Sequence, residues 1–272
     1  MQPGDDTTAA AAFDDAAFLA RSPNRLAVLG ALAEEPTPRR ALGEEAGVER
    51  VTLGRVLDDL VEREWARETA DGYALTPTGA WAHDAFSDLL ATLRATSRLR
   101  GLAEWLPEGL PLRALRDAEV VRPERGDPAA PLRRAERHTR ETSRQRVVTD
   151  ALAPGVLDAM HDGVTGGDLR LEAVVGPSML AVTAAAPETR KRFADLLASD
   201  AAAFRTATDI DIVLGIHDPG VGIGVGIIDG DGVTRALVDT DAPAVREWAV
   251  DTFERRWREA EPIDPARFGI EE

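Results

Sequence analysis

The sequence predicts an α+β protein in two parts, on three observations. Through residues 9–76, periodicity and turn signals run in the order helix, helix, turn, helix, hairpin. Residues 132–272 alternate strand-like and helical runs, which argues an α/β domain with a partly parallel sheet and an antiparallel hairpin near its end. Between them, Pro107, Pro111, Pro123, Pro128 and Pro131 punctuate a boundary region over residues 102–131. A chain of 272 residues has room for two domains.

Residues 1–8 are expected to form a tail. Ser22-Pro23 and Thr37-Pro38 each read as a helix start, with a hydroxyl at the N-cap and proline at the first helical position. The first start leads to Leu26, Leu29 and Ala33 on one face; the second opens PRRALGEEA, which stops at Gly47. In the next helix Leu53, Val56, Leu57, Leu60 and Val61 mark a buried face, opposite Val51, Arg55, Asp58 and Glu62. WARET and YALT, joined by Ala70-Asp71-Gly72, form a hairpin. This order is that of a winged helix-turn-helix, whose reading helix enters a DNA groove. Arg50, Thr52 and Arg55 are expected to reach base edges, Arg39 and Arg40 phosphates, and Arg67 on the wing the backbone or minor groove of double-stranded promoter DNA. Residues 77–101 follow as one long helix. Its stripe of Ala82, Ala85, Phe86, Leu89, Leu90 and Leu93 suits a homodimer seam, with packing on its own domain as the alternative.

The formal net charge of −16 stands against DNA at first sight. Acids number 48 and bases 32, and Lys191 is the single lysine. Such a surface suits a salt-saturated cytoplasm, or else an acidic protein from a GC-rich genome. At ~1 M salt the screening length is roughly 3 Å, so the acid says little about partners. Local arrangement decides instead: Asp58, Asp59, Glu62 and Glu64 crowd the C-terminal half of the reading helix, away from the groove floor. Glu49, at its cap position, is the awkward residue. The chain lacks cysteine, a leader-like start and any long apolar run, so a cytoplasmic protein without disulfides or membrane association is expected.

VGIGVGIIDGDG resembles a phosphate loop only superficially. Gly220, Gly222, Gly224 and Gly226 alternate with Val and Ile, so they face one side of a strand, where a flat face admits a helix or a flat ligand. His83, His138, His161 and His217 form no pair at i, i+4, and Ser178 lies in GPSML rather than in a nucleophile elbow. No catalytic residue, metal site or cofactor is expected. The second part is expected to sense a small anionic metabolite at its strand ends, through Asp150, Ser178 and His217, with Arg133 and Arg134 supplying positive charge. Each arginine also fits a solvated or ion-paired role.

The stretches FLARSPNRLAVLGAL, GVERVTLGRVLDDLVEREW, YALTPTGAW, RGDPAAPLRRA and DAPAVREWAVDTFERRWREAEP resemble a family of haloarchaeal winged-helix regulators. These carry the middle domain first described in a methanogenesis regulatory protein. The resemblance implies an archaeal transcription factor whose C-terminal domain senses a small molecule. Glu49 in place of a small capping residue, and a GDPAAP segment without tyrosine, depart from the pattern. The second part also looks like half of a phospholipase-D-type fold, as in archaeal sugar-responsive regulators. The H-x-K-x4-D motif of that chemistry is missing, since Thr189 stands where histidine would precede Lys191. The competing class is a phosphoester-processing enzyme whose winged domain mediates protein contacts.

Overall fold

In a computed structural model of the chain, the structure describes residues 3–33, 35–264 and 268. Two compact units result, residues 1–93 and 94–272.

The first unit contains α1 (Pro3–Ala20), α2 (Pro23–Ala31), α3 (Arg39–Glu45), α4 (Arg50–Glu62), the hairpin β1 (Ala66–Thr69) and β2 (Gly72–Leu75), and most of α5 (Pro77–Arg98). Helix α1 already begins at Pro3, where a tail to residue 8 is expected. Its Phe18 is covered by cations: the guanidinium carbons of Arg25 and Arg63 each lie 3.8 Å from the ring centroid. Arg25 also reaches Asp59 of α4 at 3.2 Å, so one acid of the crowded half of that helix is structural. Ser22 does cap α2 with extended backbone, but without a side-chain hydrogen bond.

Thr37 has a different task from the one its sequence suggests. Pro38 is the cap of α3, whereas Thr37 exchanges backbone hydrogen bonds with Tyr73 (2.8 and 3.0 Å) and adds a third, one-residue strand to the wing. Gly72 lies so close to Thr37 that an added Cβ would sit 2.4 Å from its carbonyl oxygen. Gly47, at φ 63, supplies the left-handed residue that turns α3 into α4. Leu53, Val56, Leu57 and Leu60 are buried as expected; Val61 is 38% exposed, because its position rotates beyond the edge of the core stripe. The stripe on α5 divides likewise. Phe86 is buried in its own unit with Ala82 and Leu90 beside it, while Trp81, Ala85 and Leu89 form an exposed row.

In the second unit the proline-rich stretch is built into the domain. Proline removes backbone donors and fixes φ, so the chain winds in two 3-10 turns, Ala103–Trp105 and Leu112–Asp117, that send Leu102, Leu110 and Leu115 into the core. It then adds β3 (Glu119–Val121) to the edge of a sheet. The other elements are α6 (Ala130–Glu141), β4 (Arg144–Thr149), α7 (Pro154–Gly166), β5 (Arg170–Val175), α8 (Pro177–Ala185), α9 (Pro187–Leu197), β6 (Ala202–Thr206), β7 (Val213–Asp218), β8 (Gly222–Ile228), β9 (Thr234–Thr240), α10 (Pro243–Glu259) and β10 (Glu261–Pro262). The sheet order is β10-β6-β5-β4-β7-β8-β9-β3; β4, β5 and β6 are parallel, and the remaining pairings antiparallel.

Two elements here escape the periodicity argument. Residues 187–204 read as one helix, but α9 ends at Leu197 and Ala202–Thr206 pairs with β5, whose edge needs a partner more than three alanines need a helix. The segment after Gly176, which the sequence marks only as a strand end, is helix α8. One face of the sheet packs Val148, Ile216 and Val225 against Val245 and Phe253 of α10. The opposite face packs Val147, Leu171 and Ala173 against α7 and α9. There Phe193 is fully buried, edge-on to Phe204 and Phe268 at 4.9 Å each.

Phe193→Ala is expected to cost about 3–5 kcal/mol of the second unit's stability, because the cavity it leaves lies among rings that cannot collapse into it. Denaturant unfolding of the full chain measures it; a loss below ~1 kcal/mol contradicts this account of the core.

Candidate functional site

Two regions present groups that the packing of the chain leaves unused. The first is the surface of α3, α4 and the wing. Arg39, Arg40 and Arg50 line one groove between α3 and α4. Arg39 also lies across Gly54, where a methyl group would collide with its guanidinium, and borders the wing residues Glu68 and Tyr73. Arg55 and Arg67 are exposed on α4 and β1, and Thr52 is half-buried on α4. Arg40 pairs with Glu44 one turn on, at 3.5 Å. Among the described residues Arg39, Arg50, Arg55 and Arg67 form no ion pair. Glu49 caps α4 by backbone geometry alone.

The second region is a cavity of about 200 Å³ between α6, α7 and the face of the sheet. It lies over the antiparallel half, where Gly215 of β7 stands opposite Gly224 of β8 and Val213 opposite Gly226. Glycine is required there: a Cβ on Gly215 would fall 2.6 Å from the ring of His217, and one on Gly226 would fall 2.8 Å from Val213. The glycine face thus makes space for two imidazoles, His138 and His217, whose rings meet edge-on at 5.1 Å. Gly220 precedes the strand, in a turn at φ 74, so three of the four alternating glycines form this face.

A connected set of polar groups surrounds the rings. Asp239 of β9 lies 3.1 Å from His138 Nε2 and pairs with Arg134 (3.0 Å). Thr139 donates its one hydroxyl proton to the Ala135 carbonyl (3.2 Å), so its oxygen must accept from Gln145 Nε2 (3.1 Å). The second Gln145 N–H then faces His217 Nε2 at 3.1 Å, which places the His217 proton on Nδ1. His138 Nδ1, Gln145 Oε1 and His217 Nδ1 remain buried without a hydrogen-bond partner. Burial first, and the neighbouring His138 second, push His217 down to about 4; the Gly222 backbone and the Asp239 and Asp218 carboxylates oppose the shift.

The structure distributes the expected effector residues widely. His217 lines the cavity. Arg134 is engaged by Asp239 and Glu119, and Arg133 by Asp127. Asp150 accepts the Met179 N–H (3.0 Å) and so caps α8 from another strand, while Ser178 is exposed on that helix. No spacing in the sequence marks His138 and Gln145 as partners of His217, because the three groups meet only through α6, β4 and β7. The glycine alternation was the available signal.

The depressed His217 has a stability consequence. Between pH 6.5 and about 4 the unfolded chain takes up a proton that the folded chain refuses, so stability falls as pH drops across that window, by up to about 3 kcal/mol. His217→Gln is expected to lose stability less steeply than the parent over that window, by about one proton in slope. Denaturation between pH 6.5 and 4.5 at high salt measures both; equal slopes contradict the assignment.

Family models match both parts of the chain. Residues 13–98 match the family model described as the HVO_A0261 N-terminal domain. Residues 128–259 match the middle domain of the methanogenesis regulatory protein FilR1. No curated protein sequence matches the chain. Similar solved structures include TrmBL2, described as an archaeal chromatin protein with a novel mode of DNA binding: 15% identity, TM-score 0.43, covering 89% of this chain and 94% of that one. The phospholipase D family member Nuc from Salmonella typhimurium is 15% identical with a TM-score of 0.40, over 54% of this chain and 97% of its own. An O-methyltransferase from Nostoc punctiforme reaches 14% and 0.27, over 76% and 66%. Scores this low leave the fold to be argued from the chain's own elements. The matches in both units support a place for the chain in a family of transcription regulators.

Proposed function

We propose that this DNA-binding transcriptional regulator reads promoter DNA through α4, works as a homodimer in a saline cytoplasm, and is controlled by a small molecule held in its second unit. One observation carries the DNA part. In a chain with 48 acids to 32 bases, Arg39, Arg50, Arg55 and Arg67 form no ion pair among the described residues, on the face that a winged helix-turn-helix turns to a groove. Arg55 and Arg50 carry base readout, with the planar donor fork that fits a guanine edge; Arg39, Arg40 and Arg67 hold the backbone. At high salt these few direct contacts matter more than the net field. The reading includes no catalytic step, so turnover of a phosphoester by the purified chain would overturn it.

Arg55→Ala is expected to lose about 1–3 kcal/mol of discrimination between its promoter and an unrelated fragment. A gel-shift comparison in molar potassium chloride tests this, and unchanged selectivity removes Arg55 from the reading set.

For the dimer, the surface on α5 is the row Trp81, Ala85 and Leu89, with Trp81 78% exposed. Phe86 and Leu90 serve the core of their own unit, so charges there would unfold it rather than divide a dimer. Trp81→Glu with Leu89→Glu is expected to halve the mass seen by light scattering while leaving the helical circular dichroism intact. A parent protein that is monomeric at working concentration refutes the dimer.

A further inference from the structure

We propose that the cavity beneath α6 and α7 binds a small, uncharged, mainly apolar molecule, about one substituted aromatic ring in size, whose hydroxyl donates a hydrogen bond to Gln145 and accepts one from His217. This deepens, and rests on, the reading of the second unit as the sensing part. It also changes the ligand class from the anionic metabolite that the sequence suggests.

Size is the first argument. The cavity holds about 200 Å³; a closed apolar cavity of ~150 Å³ accepts benzene, and drug-sized ligands need roughly 300 Å³ or more. Its walls come second: Val147, Leu152, Val156, Met160, Met179 and Leu237 are apolar, and the two thioethers adapt to a flat ring. A single water could satisfy the polar floor but would leave these walls unfilled. Entry is available past Leu132, which is 40% exposed, and the exposed Ala151 and Gly232.

Charge is the third argument. Among the described residues no arginine or lysine lines the cavity. Arg133 and Arg134 are held by carboxylates outside it. A bound anion would enter a low-dielectric space with Asp239 directly behind His138 and no cation to pair with. The polar floor asks for something else. With Nε2 of His138 facing Asp239, and the amide nitrogen of Gln145 committed to Thr139 and His217, the atoms left over are His138 Nδ1, Gln145 Oε1 and the protonated Nδ1 of His217. Gln145 Oε1 accepts and His217 Nδ1 donates. A ligand hydroxyl, which can do both, completes them, and an unpaired buried polar atom is costly enough to make that group selective.

The test uses the full chain in molar potassium chloride, with phenol and benzyl alcohol as uncharged probes and benzoate and glucose 6-phosphate as anionic ones. Phenol or benzyl alcohol is expected to raise the melting temperature by about 3 °C at roughly ten times its dissociation constant. Titration calorimetry should find benzoate at least about tenfold weaker than benzyl alcohol, the cost of a charge at the same ring. Ala135→Phe fills the cavity and should abolish the shift. Leu132→Trp, at the half-open mouth and therefore gentler on folding, should weaken it as well. Gln145→Leu should cost benzyl alcohol affinity while sparing toluene. A response to either anion as strong as to phenol overturns the proposal, as does a phenol response that survives both blocking variants, or no response to any uncharged probe. Promoter affinity is measured separately with and without phenol. Binding that leaves it unchanged keeps the cavity assignment and removes the sensing role, whereas failure to bind DNA at all bears on α4 alone.

Discussion

The sheet of the second unit must be covered on both faces, and on one half of one face aliphatic side chains do only part of the covering. Where β7 and β8 run side by side, glycines alternate with the apolar residues that feed the opposite core, and two imidazole rings lie over the glycines. Everything nearby follows from that substitution. A buried imidazole needs partners for its nitrogens, so α6 brings Arg134 to fix Asp239, Asp239 fixes His138, and Thr139 with Gln145 fixes His217. Two imidazoles standing on glycine fill less volume than a full set of aliphatic side chains would. The cavity is the volume that remains.

A second polar knot ties the same strands to the other face. Asp218, at the end of β7, accepts from Arg146 of β4 (3.2 Å) and Arg246 of α10 (2.6 Å). Its carbonyl accepts from the Thr142 hydroxyl (2.6 Å) and the Ser143 N–H (3.2 Å). The three elements are thereby held in register by one residue. Half-exposed ion pairs of this sort add little each, but several sharing one carboxylate fix geometry. Much of the arginine in the second unit is spent this way, for Arg133, Arg134, Arg235 and Arg256 are likewise engaged by carboxylates.

In the first unit the arginines divide between core and surface. Arg25 and Arg63 are structural, stacked on Phe18, and Arg25 draws Asp59 inward to pair with it. Those on α3, at the start of α4 and on the wing face outward. In an acidic chain, cations left outside the ion-pair network are a better guide to a binding surface than net charge, because screening at high salt erases the net field before it erases contact. No helix among the described residues is long and apolar enough to cross a membrane.

Local chemistry determined most of the first unit in advance. Proline after a hydroxyl residue, glycine between two short helices and apolar residues at helical spacing act within a few residues, so α2, α4 and the hairpin could be read directly. The same holds for the outward arginines and for the alternation of β8. Tertiary structure decided whatever depended on a distant partner. Thr37 became a strand because Tyr73 offered a free edge, Ala202–Thr206 became a strand because β5 did, and Phe86 turned inward because its own unit needed covering. It also decided the ligand site. Arg133 and Arg134 have the charge for an anion, and Asp150 and Ser178 stand at strand ends, but each is engaged or exposed elsewhere, whereas His138, Gln145 and His217 meet across separate elements. Spacing along a sequence cannot register a meeting of that kind, since sheet pairing and helix packing alone bring those residues together.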